Sequence, residues 1–329
     1  MTKLAALDLG SNSFHLLDAV LVEGNAEVIA QQKSSLIYGC RLKEKVQLGA
    51  GLDADHNLSQ VSINRGLECI KNFHRYIEEQ NVKHLIAVAT NTLRVANNSS
   101  DFIRAAESIL NTPIKVISGK EEARLIFSAV INEITVNEMT NDQIADLDSG
   151  LVIDIGGGST EFAIGNHSKL HLTESLEMGC VSYYQRFFAD GKIYSENVKA
   201  AEKAARLEIE PHLEQLFAFP KSWIVGTSGT FQSIAILANR LFNDDVNSLS
   251  LASLDALDKI IIDTGHIKAL DFEYLDSNRR AILPAGIAIV RAIFDCLNID
   301  KIRICQTALC EGLLMQLEHQ INNSSKSNI

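Results

Sequence analysis

VIDIGGGSTEFAIG, residues Val152–Gly165, decides the reading of the fold. An apolar run ends in Asp154. Gly156, Gly157 and Gly158 follow, then Ser159, Thr160 and Glu161, and a second apolar run closes the stretch. The pattern is strand, glycine turn, strand. Glycines let several backbone N–H groups converge on one point and keep Cβ atoms out of the way. Ser159 and Thr160 add hydroxyl donors. Such a turn suits a phosphate, but Asp154 would repel one met directly. The carboxylate makes sense if Mg²⁺ stands between acid and phosphate.

The same device occurs at ALDLGSNSFHLL, Ala6–Leu17. Asp8, Gly10, Ser11, Asn12 and Ser13 occupy the places of Asp154, Gly156, Gly157, Gly158 and Ser159. One copy alone reads equally well as a plain hairpin. Two copies, each led by an aspartate and separated by about one domain length, favour phosphate binding by two similar domains facing a cleft.

The 329 residues suggest about two domains. Hydrophobic content of 46% is enough for a sizeable core. A net charge of −11 argues against a broad DNA-binding surface, so a polyanionic substrate would need a local basic track. Aromatic residues form no stacking array for single strands. No apolar run reaches the ~18 residues of a membrane span, and the N-terminus lacks a signal-type apolar segment. The six cysteines contain no CxxC pair and read as reduced core thiols of a cytoplasmic protein.

Strand and helix patterns alternate through both halves, which defines an α/β class. Strands are expected at LAALDL, SFHLLDAVLV, AEVIAQQKSSLI, HLIAVAT and PIKVIS, with helices at Ser59–Gln80, Ser100–Leu110 and from Gly119 onward. Polar residues Asn137–Ser149 read as a connector. Further strands are expected through Met178, at SWIVG and at KIRICQ. Helices are expected near Val181–Phe188, over Ser195–Phe217, after Gly229, through Pro284 and at the C-terminal end. The tail INNSSKSNI reads as frayed.

A third turn, VGTSGT at Val225–Thr230, follows a strand and opens a helix. Gly226, Ser228 and Gly229 could there present N–H groups and the helix dipole to an anion. In SGKEEARLIFSAV, Ser118 and Glu121 fit a capping box. Glu122 lies at the head of the apolar stripe Leu125, Ile126, Ala129 and Val130, so it points inward, where a carboxylate can deprotonate water. A first-turn acid on the helix dipole is the alternative. Arg94, after a strand in TNTLRVANN, suits bidentate phosphate recognition or a surface ion pair. Lys33, Arg41, Lys43 and Lys45 form a basic stretch that could guide a polyanion or be a solvated face. His15 reads as a packed strand residue.

Taken in order, ALDLGSNSFHLL, TNTLRVANN, ISGKEEARLIF, VIDIGGGSTEFAIG, MGCVSYYQRFF, GTSGT and LPAGIAIV resemble the exopolyphosphatase / guanosine pentaphosphate phosphohydrolase family, over Leu4 to Leu314. The resemblance implies the actin, heat-shock ATPase and sugar-kinase superfold, two ribonuclease-H-like domains around a cleft. Domain I is expected over 1–135, rejoined by a C-terminal helix at 313–329, and domain II over 136–312. The implied reaction removes the terminal phosphate of polyphosphate or the 5′ γ-phosphate of guanosine pentaphosphate, a stringent-response nucleotide. By position, Glu122 resembles the family's catalytic glutamate. Asp154 and Glu161 resemble its acids around metal and water, with Asp8 as a further metal acid. Arg94 resembles its phosphate-binding arginine. Mg²⁺ or another divalent cation is the implied cofactor, and a homodimer is expected.

Two departures stand out. Cys310 occupies the place of an arginine usual before the EG of the last helix. The chain also lacks the His-Asp dipeptide of longer relatives. A kinase of the same superfold and a slow, actin-like nucleotide sensor remain alternatives at this stage.

Overall fold

The computed structural model describes residues 1–22, 35–138 and 148–326. The chain divides into two compact α/β units. One comprises 1–144 with 307–329, the other 145–306.

In chain order the first unit opens with β1 (Thr2–Leu9), β2 (Phe14–Leu21), β3 (Leu36–Glu44), α1 (Gln60–Glu79), β4 (His84–Ala89), α2 (Asn91–Val95), α3 (Ser99–Leu110), β5 (Ile114–Val116) and α4 (Gly119–Glu138). The second holds β6 (Gly150–Ile155), β7 (Thr160–Gly165), β8 (Leu170–Leu176), α5 (Cys180–Phe187), α6 (Ser195–Ile209), α7 (Leu213–Phe217), β9 (Trp223–Thr227), α8 (Ser228–Phe242), β10 (Ser248–Ser250), α9 (Leu251–Thr264), α10 (Ser277–Leu297) and β11 (Lys301–Ile304). The last helix, α11 (Leu309–Lys326), returns to the first unit.

The first sheet has the order β3-β2-β1-β4-β5, with β1–β2 and β2–β3 antiparallel and β1–β4 and β4–β5 parallel. Leu4 to Leu7 of β1 are fully buried on both faces, as a central strand between helix layers must be. Leu7, Leu9, Phe14 and Leu16 pack with Ile70 and Phe73 of α1 and Phe102 of α3. The Ser59 hydroxyl caps α1 by accepting from the Ser62 N–H at 3.4 Å. Asn111, in the left-handed conformation, ends α3.

The second sheet runs β10-β11-β9-β6-β7-β8. Its β6–β7–β8 meander repeats the antiparallel β1–β2–β3 meander, and β9 pairs parallel with β6 as β4 does with β1. Phe162, Phe231, Phe294 and the apolar face of α10 fill its core. Pro284 lies inside α10, which continues past it to Leu297.

Several boundaries differ from expectation. The third strand is Leu36–Glu44; the apolar run AEVIA, like Lys33, lies outside the described residues. The segment Ser195–Phe217 is no single helix, because Pro211 ends α6 and a short 3₁₀ turn leads into α7. Of the tail INNSSKSNI, residues 321–326 belong to α11 rather than to a frayed end. Elements α2, β10 and α9 were not anticipated. Of the six thiols, Cys69, Cys180, Cys305 and Cys310 are buried, whereas Cys40 is exposed and Cys296 half-buried.

Candidate functional site

Each unit carries one acid-led turn between its first two strands. In the first, Asp8 sits at the end of β1, and its cross-strand partner on β2 is His15. Ser11, Asn12 and Ser13 are buried. The Ser13 Oγ makes no hydrogen bond among the described residues. The turn is held from outside by two backbone bonds, Gln47 N–H to Asn12 O and Gly49 N–H to Ser11 O, both 2.8 Å. These occupy the carbonyls of Ser11 and Asn12.

The second turn is built the same way with different anchors. Gly156 N–H donates to Ser159 O at 2.9 Å, closing the hairpin. The N-terminus of α5 then caps it from behind: Cys180 N–H donates to Gly156 O, and Val181 and Ser182 N–H to Gly157 O. The first N–H groups of a helix lack intrahelical partners, and here three of them are satisfied by the turn's own carbonyls. Gly179 is required at this contact, since a Cβ there would strike the Gly157 backbone.

Asp154 and Glu161 are directly cross-strand partners on β6 and β7. The row continues to Ser175 on β8 and Thr227 on β9. Glu161 is 2% exposed, and the Ser175 hydroxyl donates to its Oε1 at 2.8 Å. Asp154 is 7% exposed, and its Oδ1 accepts no hydrogen bond among the described residues. Burial pushes the Asp154 carboxyl up to about 7, with the Ser228 hydroxyl pulling the other way.

The third turn joins this group. Ser228 starts α8 at φ 72°, a left-handed conformation that costs a non-glycine residue energy and is found where geometry is imposed. Its hydroxyl and that of Thr230 donate to Ile155 O at 2.7 and 3.0 Å, fastening the turn to the end of β6. Gly226 lies inside β9, and the Arg279 guanidinium lies over Gly229.

In the first unit, Arg94 on α2 and Glu122 on α4 come together. The Arg94 Nη1 donates to Ile117 O at 2.9 Å and stands 3.7 Å from Glu122 Oε2. Glu122 is 8% exposed, on the stripe whose Leu125, Ile126, Ala129 and Val130 are buried. Its neighbour Glu121 has another task. The Ser118 hydroxyl accepts from Glu121 N–H, but the Glu121 carboxylate turns to Arg124, making two bonds of 2.8 Å. That pairing holds Glu121 below the usual carboxylate range.

Cys310 is buried beside Asp8, its Sγ 3.8 Å from the His15 carbonyl. Burial first, then the charges of Asp8 and Glu311, raise this thiol far above its ordinary range. Arg41 of β3 forms an ion pair with Glu311, so a guanidinium does reach the EG motif of α11, from a different strand. Ser175, Thr227 and Arg279 were missed in the sequence. Only sheet register reveals the first two, and only packing reveals the third.

The oxygen-only donor set fits a small hard cation held through one or two carboxylates and substrate phosphate. Asp154 and Glu161 are adjacent, and the unbonded Asp154 Oδ1 is a buried acceptor awaiting a partner. Among the described residues no three His, Cys, Asp or Glu groups converge as a metal site.

Two acid-led turns on paired β-meanders define the phosphoryl-handling class of two-unit α/β proteins. The chain belongs to the Ppx/GppA phosphatase family, whose model matches residues 28–321. An exopolyphosphatase from Cytophaga hutchinsonii shares the fold at TM-score 0.81 and 23% identity, over 96% of this chain and 97% of that one. The Aquifex aeolicus PPX-GPPA enzyme does so at TM-score 0.73 and 23% identity, over 96% and 99%. No helix among the described residues is long and apolar enough to cross a membrane.

Proposed function

We propose that the protein hydrolyses a terminal phosphoanhydride, releasing phosphate from the end of inorganic polyphosphate or from the 5′ γ position of guanosine pentaphosphate. One observation carries this reading: a buried Glu122 placed 3.7 Å from Arg94, in a chain that holds the acid-led phosphate turn twice.

The chemistry asked of the residues is in-line attack by water. In the unit that holds Glu122 and Arg94, N–H groups and hydroxyls of Gly10–Ser13 are the donors for non-bridging oxygens; in the other unit, Gly156–Thr160, Ser228 and Gly229 offer the same chemistry. Arg94 stabilises the charge of the transferred group. Glu122 aligns the water and accepts its proton at the carboxylate. Asp154 and Glu161 in the second unit, and Asp8 in the first, are the acids that would hold Mg²⁺, which when bound offsets phosphate charge. No covalent nucleophile is needed. Ser175 orients Glu161 through its hydrogen bond.

Polyphosphate is favoured as a substrate class by the exopolyphosphatase that shares the fold and by the basic strand β3. The test is phosphate release from purified polyphosphate and guanosine pentaphosphate, each with Mg²⁺ and with chelator. Release that needs the cation supports the reading. Absence of release from both substrates under every divalent cation overturns it.

A further inference from the structure

Charges on β3 are sorted by face. Arg41 pairs across the sheet with Leu17 and Lys43 with His15, while Glu44 pairs with Phe14. Side chains alternate along a strand, so Arg41 and Lys43 share one face and Glu44 takes the other. Two contacts agree. Arg41 meets Glu311 of α11 on the first face, and the charge of Glu44 reaches Cys69 of α1 on the second. Lys45 follows Lys43 by two residues, just past the strand.

Register then ties this basic face to the first turn. Asp8 pairs with His15, and His15 with Lys43, so the three form one crosswise row. At about 4.8 Å between strands, Lys43 lies about 10 Å from Asp8 along that row. A chain of several phosphates spans this distance, and a single phosphate does not. Beyond Lys45 the chain folds back onto the turn, through Gln47 N–H to Asn12 O and Gly49 N–H to Ser11 O. Arg65 of α1 fixes the same segment by donating to the carbonyls of Val46 and Gln47. Lys45 is therefore braced two residues from the phosphate turn. Arg41 is committed to Glu311, whose carboxylate also accepts from Ala308 N–H at 3.0 Å.

We propose that His15, Lys43 and Lys45 form a chain-binding subsite that holds internal phosphates of linear polyphosphate while the chain end rests on the Ser11–Ser13 turn. This rests on the functional reading above and deepens it. It assigns long-chain polyphosphate as the preferred polyanion, because a guanosine nucleotide carries a base where a polyphosphate chain presents further anionic groups to Lys43 and Lys45. The brace fixes the backbone that follows Lys45.

The experiment is direct binding of long-chain polyphosphate, alongside KM for long-chain polyphosphate and for tripolyphosphate, in wild type, Lys43→Gln/Lys45→Gln and Lys43→Arg/Lys45→Arg. The glutamine pair is expected to weaken long-chain binding and to raise the ratio of the two KM values about tenfold, with the arginine pair restoring both. The slope of log affinity against log salt should fall by about 1.4 in the glutamine pair, since two fewer phosphate contacts displace counterions. A ratio and slope equal to wild type would overturn the subsite. So would equal competition from single-stranded nucleic acid of matched charge, which would mark a general polyanion face. If wild type binds the chain but releases no phosphate, the hydrolytic reading fails and the binding comparison still decides the subsite.

Discussion

The two acid-led turns differ at one telling position. Asp154 faces Glu161 across the strands, whereas Asp8, at the equivalent place, faces His15. The second turn thus gathers two buried carboxyls and a serine donor in one row. The first turn gathers an acid, an imidazole and, one strand further, Lys43. The anchoring differs as well. The second turn is capped by the N-terminus of α5, and the first is held by the segment after β3. A duplicated hairpin has kept its backbone and changed its cross-strand neighbour. The carboxyl pair suits a cation, and the mixed row suits an anionic chain.

That contrast can be broken from either side. Removing the cation-seeking acid should cost most. Asp154→Asn is expected to lower phosphate release on the order of 10³-fold, since a metal's charge stabilisation amounts to several kcal/mol. The loss should appear as failure of added Mg²⁺ or Mn²⁺ to raise the rate, measured by phosphate assay across a cation titration. Ser175→Ala should cost about tenfold, the usual effect of removing a group that orients a metal-binding residue. Ser175→Thr, which keeps the hydroxyl, should recover much of it. A full rate in Ser175→Ala would mean that Glu161 needs no orientation.

The reverse change makes the first turn resemble the second. His15→Glu would place two acids in the Asp8 row. The KM for long-chain polyphosphate should rise about fivefold, the scale of one partly exposed charge. An unchanged KM would remove His15 from the chain-binding row.

The amount of this visible in the sequence follows from the range of each interaction. Turn chemistry is local, so Asp8, Asp154 and the glycine and serine pattern stand out unaided. The helical stripe that buries Glu122 is also local, repeating within two turns of α4. Cross-strand register is not. His15 reads as an ordinary strand residue until its pairing with both Asp8 and Lys43 is known. Ser175 is 14 residues from Glu161, in a strand whose polar residues look solvent-facing. The continuation of β3 over Tyr38–Glu44 was missed because LIYGCRLKE belongs to an edge with most residues exposed and lacks the apolar alternation that marks a strand. Helix α6 was overrun because its apolar pattern continues past Pro211.

A smaller effect lies away from the turns. Asp258 of α9 has a carboxyl oxygen with no hydrogen-bond partner among the described residues, and burial raises its pKa. An acid whose folded pKa exceeds its unfolded value costs no stability while both states hold the proton. The cost enters as pH rises through the unfolded pKa of about 3.9 and is complete above the folded one. Asp258→Asn should therefore raise Tm by about 2 °C at pH 8 and leave it unchanged near pH 3, by thermal unfolding. An equal shift at both values would point to packing rather than charge.

The central proposal is that the Glu122 carboxylate drives water onto a bound terminal phosphate. Glu122→Gln tests it most directly, with polyphosphate affinity and phosphate release measured on the same preparation. The account predicts near-normal binding with turnover reduced roughly 10²–10⁴-fold. Turnover at the wild-type rate would contradict it.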